Sequence, residues 1–173
     1  MKELVLGGVR SGKSRYAEQQ ARASGLQVVY IATAIAEGDP ELEARIRRHR
    51  SYRAAEWTTV EEPVVLGTAL RTHAGAGRCL LVECLTLWLA HLLTADPDRL
   101  ESERMSLLQA VDEIPGRVIL VSNETGLGIM PMGEVSRRFL DVAGELHQSL
   151  AAACDRVTLI VAGLPQRLKE VSR

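Results

Sequence analysis

The chain has 173 residues, 46% hydrophobic and 25% charged, a balance that suits one soluble globular domain spanning 1–173 with a sizeable core. A formal net charge of −1 and an aromatic content of 3% argue against the basic surfaces and stacking platforms used to bind nucleic acid. No apolar run reaches membrane-spanning length, so no membrane span is expected, and the first residues read as part of the fold rather than as a signal peptide.

The first element is a short apolar strand, Lys2–Leu6. It leads into Gly7-Gly8-Val9-Arg10-Ser11-Gly12-Lys13-Ser14, a complete G-x-x-x-x-G-K-S loop. A good helix former follows over 14–24. Strand, glycine loop and helix are the context in which backbone N–H groups and a helix N-terminus converge on phosphate oxygens. Lys13 brings a point charge for the outer phosphates, Ser14 a hydroxyl for a phosphate-bound Mg²⁺, and Arg10 a further charge. A chance match in a Gly-rich turn is the competing reading, and the flanking elements weigh against it.

A second strand is expected at Val28–Ala32. Helix-forming patterns follow at 40–52 and 63–73, then a strand at Cys79–Glu83, helices over 85–94 and 99–113, a strand at Arg117–Val121, a helix over 134–154 and a strand at Val157–Val161. Each strand is a continuous apolar run, as expected when both faces are buried. The alternation predicts an α/β three-layer sandwich, a mostly parallel central sheet flanked by helices, with ligands at the carboxyl ends of the strands. Thr94–Asp98 is read as a helix break, not a domain boundary. The three cysteines, Cys79, Cys84 and Cys154, have no metal-binding spacing and are expected reduced and mostly buried.

Three places carry further chemistry. Glu83 ends an apolar strand, where P-loop enzymes place the acid that holds Mg²⁺; a strand-end glutamate paired with a nearby cation is the alternative. In 38–50, Asp39 can cap a helix, and Leu42, Ile46 and His49 fall on one face. Arg45, Arg47, Arg48 and Arg50 surround that histidine, so His49 is expected neutral and nucleophilic beside cations that attract a triphosphate. A solvated basic face with an incidental histidine is the plainer reading of a charge run, and a nucleic-acid patch is disfavoured by the balanced charge. After Val121, the loop Ser122–Pro131 offers Asn123, Glu124, Gly126 and Gly128 at the ligand edge. It either senses a phosphate or a second substrate, or simply connects strand to helix. His73, His91 and His147 are expected to be structural, without charged groups around them.

Taken together, the loop at 7–14, the run Tyr30-Ile31-Ala32-Thr33, the Arg-flanked His49 in 44–50, Arg53 with Trp57, Glu83-Cys84-Leu85-Thr86-Leu87-Trp88 and the run 122–131 resemble the bifunctional adenosylcobinamide kinase/adenosylcobinamide-phosphate guanylyltransferase family of cobalamin biosynthesis. The resemblance covers nearly the whole chain. It implies a RecA-like P-loop NTPase fold, a kinase step that phosphorylates adenosylcobinamide from ATP or GTP, and transfer of GMP from GTP through a guanylyl-histidine to adenosylcobinamide phosphate. It makes His49 the nucleophile of guanylyl transfer, with Lys13 a catalytic residue of the phosphate loop. Nucleotide contacts then fall on Gly7, Gly8, Val9, Arg10, Ser11, Gly12, Lys13, Ser14, Ala32, Thr33, Ala34, Arg50, Ser51, Tyr52, Arg53, Glu61 and Glu83, and Mg²⁺ on Ser14 and Glu83. A cytoplasmic homotrimer is implied, with small-molecule substrates and no nucleic acid. Two departures are mild: Ala34 stands where relatives often carry Ser, and Arg48 where some carry a second histidine. Other readings that keep the loop are a kinase without guanylyl transfer, a GMP transferase without the kinase, and a nucleotide-binding regulator.

Overall fold

The continuous apolar runs become two-faced strands. In the computed structural model, which describes residues 1–34, 43–44 and 56–171, Leu4, Leu6, Val29, Ile31, Leu80, Val82, Val118 and Leu120 pack into one core. The residues between them, Val5, Val28, Tyr30, Cys79, Leu81, Ile119 and Val121, pack into a second core on the opposite face. Side chains alternate along a strand, so a run with no polar residue requires cover on both sides.

The described residues form seven strands, β1 (Lys2–Gly7), β2 (Gln27–Ala32), β3 (Thr58–Glu61), β4 (Arg78–Glu83), β5 (Arg117–Asn123), β6 (Arg156–Val161) and β7 (Leu164–Glu170), and five helices, α1 (Lys13–Ala23), α2 (Leu66–His73), α3 (Leu85–Ala95), α4 (Leu100–Glu113) and α5 (Glu134–Ala153). The sheet order is β3-β2-β4-β5-β1-β6-β7. All neighbours are parallel except the antiparallel pair β6–β7. On one face, α1 lays Ala17 and Ala21 against the sheet. On the other, α2, α3, α4 and α5 contribute Leu66, Leu70, Trp88, Leu92, Leu107, Val111, Leu146 and Leu150. Burying each such leucine stabilises the fold by about 1.5–3 kcal/mol. The Trp88 indole N–H, buried with its ring, donates to the Val64 carbonyl at 2.8 Å, so no polar atom is stranded there. The expected three-layer α/β architecture is therefore present.

Two strands escaped the sequence pattern, β3 and β7. β3 is four residues long and mostly exposed. β7 carries Pro165 and the charged Arg167, Lys169 and Glu170 at the sheet edge, where proline and charge belong. It is reached by a two-residue turn in which Ala162 and Gly163 both have positive φ, 51° and 80°, the geometry that matches hairpin twist. The break after α3 comes at Asp96, followed by a single 3₁₀ turn at Pro97–Arg99. Apart from residues 43–44, the expected helix at 40–52 lies outside the described residues, as do His49, Arg50, Ser51, Tyr52 and Arg53.

Candidate active site

The phosphate loop leaves β1 at Gly7 and enters α1 at Lys13. Gly12 takes a left-handed conformation, φ 97°, at the helix cap. A Cβ there would stand 3.2 Å from the Gly163 Cα, so glycine serves both the backbone conformation and the close approach of the β6–β7 turn. That turn also holds the loop from below: the Gly163 N–H donates to the Ser11 carbonyl at 2.8 Å. No side chain caps α1, and its first turn carries no acid. A helix start with no capping side chain and no acid in its first turn suits an anion.

Lys13 is buried, with its ammonium donating to the Gly8 carbonyl at 3.2 Å. The Ser11 hydroxyl is buried without a hydrogen-bond partner among the described residues. A buried hydroxyl of this kind costs about 1–3 kcal/mol unless something supplies a bond, and a phosphate oxygen is suited to do so.

Parallel register brings the strand-end residues together. Ala32 pairs with Glu61 on one side and Glu83 on the other. Thr33 is buried and clasps β4: its N–H donates to the Glu83 carbonyl at 3.1 Å and its hydroxyl to the Cys84 carbonyl at 2.7 Å. Glu83 then reaches across to α1, where its Oε1 accepts from the Ser14 hydroxyl. Its Oε2 accepts from Tyr30 at 3.1 Å. Ser14 and Glu83 thus present adjacent hard oxygen donors beside Lys13. That donor set fits Mg²⁺, which takes one or two protein oxygens and completes its shell with water and phosphate. No cluster of three or more His, Cys, Asp or Glu able to cage a metal occurs among the described residues.

Of the expected site residues, Gly7 to Ser14, Ala32 to Ala34, Glu61 and Glu83 lie along the carboxyl edge of the sheet. Burial pushes the Cys84 thiol up from its ordinary range, so it is an inert neighbour at this edge. Burial likewise pushes Cys154 up to about 12; all three cysteines are free thiols, as expected.

One histidine departs from expectation. His147 on α5 is buried and does have a charged neighbour: its Nδ1 lies 3.9 Å from Glu124 Oε2. Its Nε2 lies 2.8 Å from the Ser122 hydroxyl. The pair was hidden because Glu124 and His147 belong to different elements, and the apolar pattern of α5 accounts for His147 as a core position.

Against known proteins, residues 3–168 match the model of the family described as cobinamide kinase / cobinamide phosphate guanyltransferase. The chain is 61% identical over 170 residues to the bifunctional adenosylcobalamin biosynthesis protein CobP of Pseudomonas aeruginosa, covering 98% of each. It is 39% identical over 180 residues to the bifunctional adenosylcobalamin biosynthesis protein CobU of Escherichia coli, covering 96% of this chain and 98% of that one. Among solved structures, the RadB recombinase superposes with a TM-score of 0.51 at 18% identity, over 91% of this chain and 73% of the other. The flagellar accessory protein FlaH of Methanocaldococcus jannaschii superposes with a TM-score of 0.51 at 12% identity, over 98% and 78%. These two likenesses bear on the fold alone and agree with a RecA-like P-loop NTPase.

Proposed function

We propose that this chain, which belongs to the cobinamide kinase / cobinamide phosphate guanyltransferase family, phosphorylates adenosylcobinamide with ATP or GTP and then converts adenosylcobinamide phosphate to adenosylcobinamide-GDP through a guanylyl-histidine on His49. The observation that carries the kinase half is the hydroxyl–carboxylate pair of Ser14 and Glu83 at the head of α1, next to the buried Lys13. Mg²⁺ bound with the nucleotide would neutralise phosphate charge there. The protein's own part is positioning and electrostatics. The loop N–H groups and Lys13 orient the phosphates, Ser14 and Glu83 hold the ion, and Ala32 to Ala34 and Glu61 line the adjoining strand ends.

The guanylyl half needs a neutral imidazole among cations. His49 nitrogen attacks the α-phosphorus of GTP, and the bond to the β-phosphate oxygen breaks with its electron pair leaving in pyrophosphate. An oxygen of adenosylcobinamide phosphate then attacks the same phosphorus, and the P–N pair returns to the imidazole. Arg50, Ser51, Tyr52 and Arg53 follow the nucleophile in sequence and complete the nucleotide contacts in this reading. A homotrimer in the cytoplasm is part of it. No helix among the described residues is long and apolar enough to cross a membrane, and the exposed Val161 and Leu164, paired at the β6–β7 turn, offer apolar surface for contact between copies.

The deciding experiment incubates the protein and His49→Ala with Mg²⁺ and GTP labelled at the α-phosphate, then denatures both. Acid-labile, base-stable label on the parent alone is expected. Absence of label on the parent, with nucleotide bound, removes the covalent half of the reading.

A further inference from the structure

The two chemistries differ in one proton. Guanylylation and its reversal onto a phosphate oxygen need no hydroxyl to be deprotonated. Phosphorylation of an alcohol does: as its oxygen bonds to the γ-phosphorus, the hydroxyl proton must leave. Glu83 is engaged with the Ser14 and Tyr30 hydroxyls, on the side assigned to Mg²⁺. Glu61 stands on β3, with β2, β4 and β5 between it and the phosphate-loop strand.

Glu124 is placed differently. It follows β5, whose Asn123 pairs with Gly7 at the mouth of the phosphate loop, and its own N–H donates to the Gly7 carbonyl at 3.0 Å. Its carboxylate, 22% exposed, is open enough to meet a substrate and to pass a proton to water. One oxygen accepts from the Gly126 N–H at 2.7 Å; the other faces His147.

Behind it runs a chain of polar groups with a consistent direction. The Asn123 N–H donates to the Thr86 hydroxyl oxygen at 2.8 Å. Thr86 and Ser122 hydroxyls lie 3.3 Å apart, and Ser122 meets His147 Nε2 at 2.8 Å. With the imidazole buried and its Nδ1 toward a carboxylate, the single N–H belongs on Nδ1. Nε2 then accepts from Ser122, and Ser122 from Thr86. Helices α3 and α5 thus hold the end of β5 through hydroxyls, and the histidine dipole points at Glu124.

We propose that Glu124 is the proton acceptor for the alcohol in the kinase step, and that His147, 3.9 Å from its Oε2, is a positioning residue that orients it through its dipole. This rests on the kinase reading above. The alcohol oxygen bonds to the γ-phosphorus, the bond from γ-phosphorus to the β-phosphate oxygen breaks with its electron pair leaving in the nucleoside diphosphate, and the hydroxyl proton moves to the Glu124 carboxylate and on to water. Thr86 and Ser122 only orient.

The test measures both half-reactions on the full chain: phosphorylation of adenosylcobinamide by ATP, and label retained from α-labelled GTP. Glu124→Gln keeps an acceptor for the Gly126 N–H but is no base. Its phosphorylation kcat should fall about 100-fold or more, with KM for ATP and guanylyl-enzyme formation within about threefold of the parent. His147→Gln should lower the same kcat about tenfold, again without raising KM for ATP. Glu124→Gln that phosphorylates within threefold of the parent overturns the assignment, as does a variant that loses both half-reactions equally. A parent that forms the guanylyl-enzyme but phosphorylates nothing overturns the kinase reading, and this inference with it.

Discussion

Glu3 and Glu83 stand on the two strands that flank β5, near opposite ends of the sheet, and their surroundings differ in kind. Glu3 is fully buried. Its Oε1 accepts from Tyr16 and Thr158 hydroxyls, each at 3.0 Å, and its Oε2 lies 3.7 Å from both Arg117 and Arg156. Two guanidinium groups hold that carboxylate in place, tying β1 to β5 and β6. Glu83 is partly exposed at the ligand edge, and its hydrogen bonds come from the hydroxyls of Ser14 and Tyr30. Hydroxyls orient a carboxylate without cancelling its charge, so it keeps the capacity to take a cation. The difference teaches that a carboxylate ringed by guanidinium groups is structural, whereas one ringed by hydroxyls keeps its charge for chemistry.

That contrast is open to direct attack. The largest expected effect is on turnover at the ligand edge: Glu83→Gln should lower kinase kcat about 1000-fold, roughly 4 kcal/mol of barrier, while leaving the thermal midpoint within about 2 °C. A steady-state assay beside a melting curve checks both halves. The converse follows for the other acid. Glu3→Ala leaves Arg156 with Glu170 alone and takes from Arg117 the carboxylate that lies 3.7 Å from it, and should cost about 3 kcal/mol of stability, read as a lower urea midpoint. Turnover per folded molecule should stay within about twofold; a Glu3 variant that kept its stability but lost activity would erase the distinction.

His147 sharpens the comparison by pH, with the smallest effect. Burial depresses its pKa below the ordinary 6.5, although Glu124 pulls the other way. The unfolded chain therefore binds a proton below pH 6.5 that the folded protein resists. This histidine's contribution is complete above pH 6.5 and is lost as pH falls through the depressed folded value. Urea midpoints at pH 7.5 and 5.5 should differ more for the parent than for His147→Gln. Equal differences in the two proteins would mean that the imidazole titrates as freely folded as unfolded.

Much of this was readable from the chain alone. The phosphate loop, the five apolar strands and the helices between them are contiguous patterns, and each that falls within the described residues formed within a few residues of its expected bounds; the helix at 40–52 lies outside them apart from residues 43–44. The reading of the loop as an anion site rests on local chemistry: glycine conformations, a helix start, a lysine and a hydroxyl within eight residues. Glu83 was legible because it ends an apolar run. The edge strands β3 and β7 were not, since an edge strand is half solvated and carries no apolar run to betray it. The Glu3 network was invisible for another reason: Thr158 is 155 residues away, and nothing local marks an acid near the start of a strand as a future partner of two arginines.

What the sequence determined by itself is therefore the local chemistry: which segments must be covered on both faces, where phosphate can sit, and which acid ends a strand beside it. What only the tertiary structure decided is which distant groups meet. Parallel register set Glu61, Ala32 and Glu83 side by side. The packing of α5 over the end of β5 turned a histidine in an apolar helix pattern into the neighbour of Glu124. The physical reason is range. Helix, turn and strand preferences act over a few residues, whereas a carboxylate takes its role from charges and hydroxyls that only the assembled sheet and its helices bring near.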